Sequence, residues 1–369
     1  MRIVMFLHSL RSCWNHGSAH FLRGIASELK ARGHSVRIYE PAGGWSALNL
    51  AEEQGPQALE AFRASYPGLD SAFYTPRTID LDWALEGAEL VLVHEWTPPE
   101  LVARIGRRRR VSRFHLLFHD THHRAISDPR AMEGLDLRDY DGVLAFAKVL
   151  EDAYLRRGWA QRAWTWHQAA DTRVFRPNPA EDRQGDLAWI GNWGGPERTA
   201  ELQQYLFIPA RQARLSGVVH GVSYPAEGRT TVEASGLRYG GWLPNHETPA
   251  VFARHRMTVH VPRRQYQAWL PGVPTMGVFE ALACGLPLIC APWRDVEGLF
   301  EAGVHYLVAE SCAQMTRHMR LLAHDPSAAK ALAEAGRDRV LDRHTCAHRV
   351  DELLDVVRSL SPSAGRAVG

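Results

Sequence analysis

Short apolar runs alternate with amphipathic stretches along most of this chain, and that alternation constrains its fold more than any other feature. The run 2–7 (RIVMFL) is continuous and apolar, as a strand buried on both faces must be. A polar loop from His8 to Ser18 follows, containing Asn15, His16 and Gly17. From Ala19 to Arg32, Phe21, Leu22, Ile25, Ala26 and Leu29 recur at helical spacing, and Gly33 stands where a helix ends. The run 35–39 (SVRIY) supplies the next strand. The unit then repeats, with strands expected at 88–94, 114–118 and 141–146 and helices at 81–87, 98–108 and up to Arg156. Such alternation builds a parallel, doubly wound sheet in an α/β fold.

The stretch 176–186 (RPNPAEDRQGD) has no apolar period and is rich in Pro, Asp and Gly, so it reads as a linker. Alternation resumes after it. Strands are expected at 187–191, 218–220, 257–261 and 287–291, with helices at 197–206 and 278–284 and a closing stretch over 312–360 that is helical throughout, with a helix start at 325–331 (DPSAAKA). At 369 residues the chain is long enough for two cores, so two Rossmann-like domains are expected.

Composition excludes several classes. A formal net charge of +2 is too small to argue for a nucleic-acid partner, and membrane contact has only the run Arg107–Arg110 in its favour. The five cysteines are scattered, which suits reduced thiols in the cytoplasm. The apolar run after Arg2 is too short for a signal-peptide core, and no stretch approaches the roughly 20 apolar residues that span a bilayer.

In an open α/β sheet, ligands bind beyond the carboxyl ends of the strands. The residues there are Gly17 and Ser18 in the first loop, His94-Glu95-Trp96, and His119-Asp120-Thr121-His122-His123-Arg124. In the second half they are Asn192 and Trp193 within Gly191–Gly195, His220-Gly221, and Arg263-Arg264. Gly17 and Ser18 fit either a turn with an N-cap or a phosphate-binding helix start. The HDTHHR segment crowds possible metal ligands but has no helical i, i+4 pair, so substrate hydrogen bonding by His119 or Asp120 is the preferred reading. Arg198, Arg263 and Arg264 could clamp a pyrophosphate or simply be solvated. Glu280, early in a helix after PGVPTM, could hold vicinal hydroxyls or only favour the helix dipole. Trp14, Trp45 and Trp96 could stack on a sugar or pack. His344 and His348 have ligand spacing but lie in the closing helical stretch, where packing is expected.

The segment FEALACGLPLICAP resembles the donor-site signature of the group 1 (family four-like) GT-B glycosyltransferases. HQAADTRVFRP (167–177), YGGWLP (239–244) and HRMTVHVP (255–262) resemble further segments of that family, in its order. VPTMGVFEALACG and the ending 336–354 are most similar to its spore-maturation-type branch. The resemblance implies a GT-B fold with an interdomain cleft, an acceptor-side domain over 1–176 and a donor domain over 185–344, with the helix 345–360 packing back on the first. It implies transfer of a hexosyl group from a UDP- or GDP-sugar to a small-molecule or glycan acceptor, with retention and no metal or other cofactor. By position, Glu280 would hold ribose hydroxyls, Arg198 the pyrophosphate, Gly17 the first-domain glycine loop, and His119 would line the sugar site. Trp242 and Leu243 would lie near the base, with Thr275 and Met276 beside the donor. The family's other glutamate would fall at Gly272, and an arginine of the branch at Gly277. A retaining reaction needs no protein base, whereas an inverting one would use Asp120 or His119. A GT-B epimerase and a non-catalytic nucleotide-sugar binder are the alternatives.

Overall fold

The computed structural model describes residues 1–178 and 182–361, so the stretch read as a linker lies partly outside the described residues. The chain divides into two compact units. Unit 1 comprises Met1–Ser12, Leu22–His167 and the chain from Cys346. Its strands are β1 (Arg2–Phe6), β2 (Ser35–Pro41), β3 (Ala72–Tyr74), β4 (Leu90–His94), β5 (His115–Asp120), β6 (Gly142–Ala145) and β7 (Ala163–Thr165). They form one parallel sheet in the order β3-β2-β1-β4-β5-β6-β7. The order reverses between β1 and β4, the kind of switch point beyond which such sheets bind ligands. All five residues of β4 are buried, as a strand covered on both faces requires.

The helix Cys346–Leu360 belongs to this unit. Trp166 Nε1 donates to the Arg349 carbonyl at 2.8 Å, and Arg32 Nη2 donates to that of Ala347 at 3.0 Å. Three of the four arginines in the run 107–110 are paired. Arg108, Arg109 and Arg110 pair with Asp82 (2.7 Å), Asp141 (3.3 Å) and Asp139 (2.7 Å).

Unit 2 comprises Cys13–Phe21 and Gln168–Thr345. Its strands are β8 (Leu187–Ile190), β9 (Gly217–His220), β10 (Leu237–Tyr239), β11 (Thr258–His260), β12 (Leu288–Cys290) and β13 (Leu307–Val308). Two parallel sheets, β10-β9-β8 and β11-β12-β13, are linked by a parallel bridge between Leu187 and Met257. The core beneath them gathers Leu187, Trp189, Trp193, Phe207, Val259 and Ile289.

Three departures from the sequence reading have physical causes. The helix expected to end at Leu206 continues to Ala213, passing through a π-helical segment, Gln203–Phe207. Pro209 lacks an N–H and would crowd the carbonyl four residues back, and a widened turn there relieves both problems. The closing stretch is three helices, Cys312–His324, Pro326–Arg343 and Cys346–Leu360. The second starts within 325–331, where a helix start was expected, and Asp325 caps it, accepting from the N–H groups of Ser327 (3.0 Å) and Ala328 (2.9 Å). The strands β3, β7 and β13 have two or three residues each, too few to show a period.

Gly217 sits in β9 between β8 and β10, where a Cβ would run into the backbone of Leu187. Gly217→Ala should therefore cost about 1–3 kcal/mol in urea unfolding, the usual cost of overpacking. Gly17→Ala, with nothing within 4 Å of a new Cβ, should leave the midpoint unchanged. Equal midpoints for both variants would contradict this packing.

Candidate functional site

Thr275, in extended conformation, leads into the helix Met276–Ala283, in which every residue but Gly277 is buried. Glu280 is thus a carboxylate on an apolar helix, only 7% exposed. A buried charge needs hydrogen-bond partners, and Glu280 has two on one oxygen. Its Oε1 lies 2.9 Å from His20 Nδ1 and accepts from Asn245 Nδ2 at 2.7 Å. His20 Nε2 accepts from the Asp171 N–H at 2.7 Å, so the ring carries its proton on Nδ1 and donates it to Glu280. The same ring stacks on Phe175, with centroids 3.8 Å apart and planes 11° apart. Glu280 Oε2 has no hydrogen bond among the described residues. His20, Asn245 and Asp171 all belong to unit 2, because the segment Cys13–Phe21 does.

That segment is anchored elsewhere too. Asn245 N–H reaches Cys13 Sγ at 3.3 Å, Asn192 Nδ2 bonds Asn15 Oδ1, and Ser18 Oγ accepts from Gln168 Nε2 at 3.1 Å. Gly17 is exposed at its tip.

The three second-half arginines separate. Arg198 is 6% exposed, and its Nη1 donates to the Val261 carbonyl. It lies 3.8 Å from Glu201 and beneath the Trp189 ring. It therefore ties its helix to the end of β11, where a pyrophosphate contact had been expected. Arg264 is exposed and 3.7 Å from Glu201. Arg263 has no hydrogen bond or ion pair among the described residues, and it lies against Gly194, whose Cβ would sit 3.5 Å from Arg263 Nη2. Gly194 has φ +81°, a conformation that favours glycine.

Trp193, read as a ligand contact, is a core residue instead. It is 5% exposed, with its ring stacked on Phe207 at 5.8 Å and edge-on to Tyr224 at 5.4 Å. Asn192 accepts from the Val222 N–H at 2.9 Å and so shapes the loop. Trp242 and Leu243, after β10, are half-buried. The Thr275 hydroxyl makes no hydrogen bond among the described residues, while the Met276 side chain is buried, leaving its backbone amide as its ligand-facing group. Gly277 faces open space, but Gly272 does not. Gly272 has φ +91°, and a Cβ there would lie 2.7 Å from Val296 Cγ2, so a glutamate cannot be accommodated in this conformation.

In unit 1 the ends of β4 and β5 bring together an acid–histidine cluster. Thr121 donates to Glu95 Oε1 from its N–H (2.9 Å) and hydroxyl (2.8 Å), and Arg124 Nη2 donates to Oε2 at 3.0 Å. Asp120 Oδ1 accepts from the His122 N–H at 2.9 Å and Oδ2 from the Tyr154 hydroxyl at 2.8 Å. Burial pushes both carboxyls above the usual range, and the neighbouring Asp120 charge adds to the rise at Glu95. Asp120 is 1% exposed with both oxygens engaged, so it holds this turn together and does not stand open as a base. His119 packs edge-on against Trp166 at 4.9 Å and His94 at 5.4 Å, and burial drives its pKa down to about 3. Trp96 is 42% exposed, with the Arg124 guanidinium 4.0 Å from its ring centre. Trp14 is buried and Trp45 half-exposed. Among the described residues no group of three or more His, Cys, Asp or Glu is placed to hold a metal ion. His344 packs on Phe300 at 4.9 Å and bonds the Leu299 carbonyl at 3.1 Å.

Sequence reading missed His20, Asn245, the Glu95–Arg124 ion pair and the Tyr154–Asp120 hydrogen bond. Glu95 and Arg124 had a signal, since both follow strands.

Residues 198–355 match a family model described as glycosyl transferase-like. No curated protein matches the chain by sequence. Among solved structures, the chain is similar to a glycosyltransferase from Rickettsia africae ESF-5, at 8% identity over 98% of this chain and 99% of that one, with a TM-score of 0.67. It is similar to HepE of Anabaena, solved with UDP and glucose, at 14% identity over 97% and 100%, with a TM-score of 0.65. An alpha-glucosyltransferase solved with UDP and a DNA 13-mer gives 12% identity, 97% and 99%, and 0.70. The chain has the GT-B fold. Its glycosyl transferase-like region contains Glu280, Asn245, Arg198 and Arg263 but not His20. No described helix is long and apolar enough to cross a membrane.

His119 titrates at about 3 when folded and near its ordinary 6.5 when unfolded, so the unfolded chain binds the proton first. The stability it supports is present above pH 6.5 and is lost as pH falls towards 3. Glu95 acts in the opposite sense, so wild type and variant must be compared. Between pH 7 and 5, His119→Asn should lose about 2 kcal/mol less than wild type in urea unfolding. Parallel pH dependences would contradict a buried neutral His119.

Proposed function

We propose that this chain is a glycosyltransferase that moves a hexosyl group from a nucleoside-diphosphate sugar to a small-molecule or glycan acceptor, with retention and without a metal. The observation that carries the reading is Glu280, a carboxylate locked by His20 and Asn245 through one oxygen while the other has no partner among the described residues. An oxygen held in this way can accept from vicinal hydroxyls such as those of a ribose. Two of the similar structures were solved with UDP, which supports a UDP-sugar donor. The VPTMGVFEALACG segment supports the spore-maturation-type branch. Five free cysteines support a reducing compartment such as the cytoplasm.

Departure of a nucleoside diphosphate builds negative charge on its terminal phosphate. Arg263, without a carboxylate partner, and the unpaired N–H groups at the start of the helix Met276–Ala283 are the preorganised positive groups that stabilise it. In a retaining transfer the leaving phosphate oxygen takes the acceptor proton, so the sealed Asp120 is not required as a base. Trp96, backed by Arg124, offers unit 1 a face for a sugar ring.

The lack of room for a carboxylate at Gly272 favours one competing reading, a binder without turnover. Two measurements separate them. In a thermal-shift panel of UDP, GDP, dTDP and ADP, one diphosphate at 100 times its Kd should stabilise by about 2.7 kcal/mol. The shift should be unaffected by Mg²⁺ and lost in Glu280→Ala; silence across the panel would overturn the reading. Release of UDP from a UDP-sugar with acceptor present, giving a product of unchanged anomeric configuration, supports transfer. Tight binding without release would leave the binder. Arg263→Ala should lower kcat/KM by roughly 10–1000-fold, and an unchanged value would contradict its role.

A further inference from the structure

Unit 2 holds a cavity of about 550 Å³ on the side of its sheet at which β11 and β12 begin, the end of β11 opposite Arg263. It is lined by Cys284–Pro287, which leads into the amino end of β12, and by His255 and Arg256, which precede β11. Arg263 follows β11 at its carboxyl end. The cavity therefore lies at the other end of β11 from Arg263.

Its lining is partly apolar and partly cationic. Phe252, Leu286, Leu322 and Ala333 supply apolar surface, while Arg183, Arg256, Lys330 and Arg337 bring four positive charges against the single carboxylate of Glu334. Two of the cations are committed. Arg256 pairs with Asp186 at 3.2 Å, and Lys330 lies 3.7 Å from Glu334. Arg337 has no hydrogen bond or ion pair among the described residues, although its Nε is sealed from solvent. An unsatisfied buried N–H costs about 1–3 kcal/mol, so a guanidinium left in that condition calls for a partner. Its stem packs over Gly285, whose φ of +64° and missing side chain leave the cavity open: a Cβ there would meet Arg337 Cδ at 3.6 Å and Pro177 Cγ at 3.5 Å. Arg183 donates to the His255 carbonyl at 3.2 Å and has no carboxylate partner among the described residues.

We propose that this cavity is a second ligand site, separate from the donor site, for a small metabolite that carries a phosphate or carboxylate on a sugar-sized body. Guanidinium forks match both oxyanions, and the volume lies within the range of small-molecule sites. The site rests on the cavity, on Arg337 without a partner among the described residues and on Arg183 without a carboxylate partner among them, so it stands whether or not the chain transfers sugars.

Isothermal titration of the full chain with ribose 5-phosphate and, separately, with ribonate tests this and tells the two oxyanion sources apart. Saturable binding of at least one is expected. It should weaken about tenfold or more in Arg337→Ala and in Arg183→Ala, an exposed position whose loss leaves the fold intact, and it should persist in Arg263→Ala. No binding of either probe to the wild type would overturn the proposal. So would binding that survives both Arg337→Ala and Arg183→Ala, or binding lost only in Arg263→Ala, which would assign it to the donor site.

Discussion

A carboxylate buried in an apolar helix is the constraint on which the functional end of unit 2 depends. Moving an ion out of water is costly unless hydrogen bonds replace the lost hydration, and truncating one partner of such a group costs more than an ordinary contact. Glu280 meets that demand with partners from two distant segments, His20 and Asn245. His20 is itself held by the Asp171 N–H and the face of Phe175. The segment Cys13–Phe21 therefore clusters with unit 2 although its neighbours in sequence build unit 1. One charge thus organises the amino-terminal loop, the stretch after Gln168, and the helix Met276–Ala283.

Unit 1 solves a similar problem differently. Glu95 and Asp120 share a buried position at the ends of adjacent strands, and burial raises both, so this cluster favours protonated carboxyls and a neutral His119. Glu280 is anchored through one oxygen only, while Asp120 has both engaged. That difference separates a carboxylate with one oxygen unengaged among the described residues from one that holds a turn.

The parallel α/β alternation, the two arrays and the position of Glu280 were legible because each depends on local signals: apolar runs, helical spacing, and a Pro-Gly loop before a helix. What was not legible depends on packing across long separations. His20 lies 260 residues from Glu280, and nothing in its own segment distinguishes it from a core histidine. Arg198 and Arg263 look equivalent as residues following glycine loops or strands, yet burial commits the first to the Val261 carbonyl and leaves the second unpartnered. Trp193 stands at a strand end but turns into the core, which only the positions of Phe207 and Tyr224 reveal. Gly272 reads as a lost glutamate until its positive φ and the neighbouring Val296 show that the backbone leaves no room for one.

The central claim is that Glu280 Oε2 receives the hydroxyls of a ribose. A calorimetric cycle of UDP and 2′-deoxy-UDP on wild type and Glu280→Ala tests it most directly. A hydrogen bond to a charged group contributes about 1.5–3 kcal/mol, so the deoxy ligand should bind roughly 10–100-fold more weakly to wild type and equally well to the variant. Equal affinities of the two ligands for wild type, or an unchanged difference in Glu280→Ala, would contradict the account.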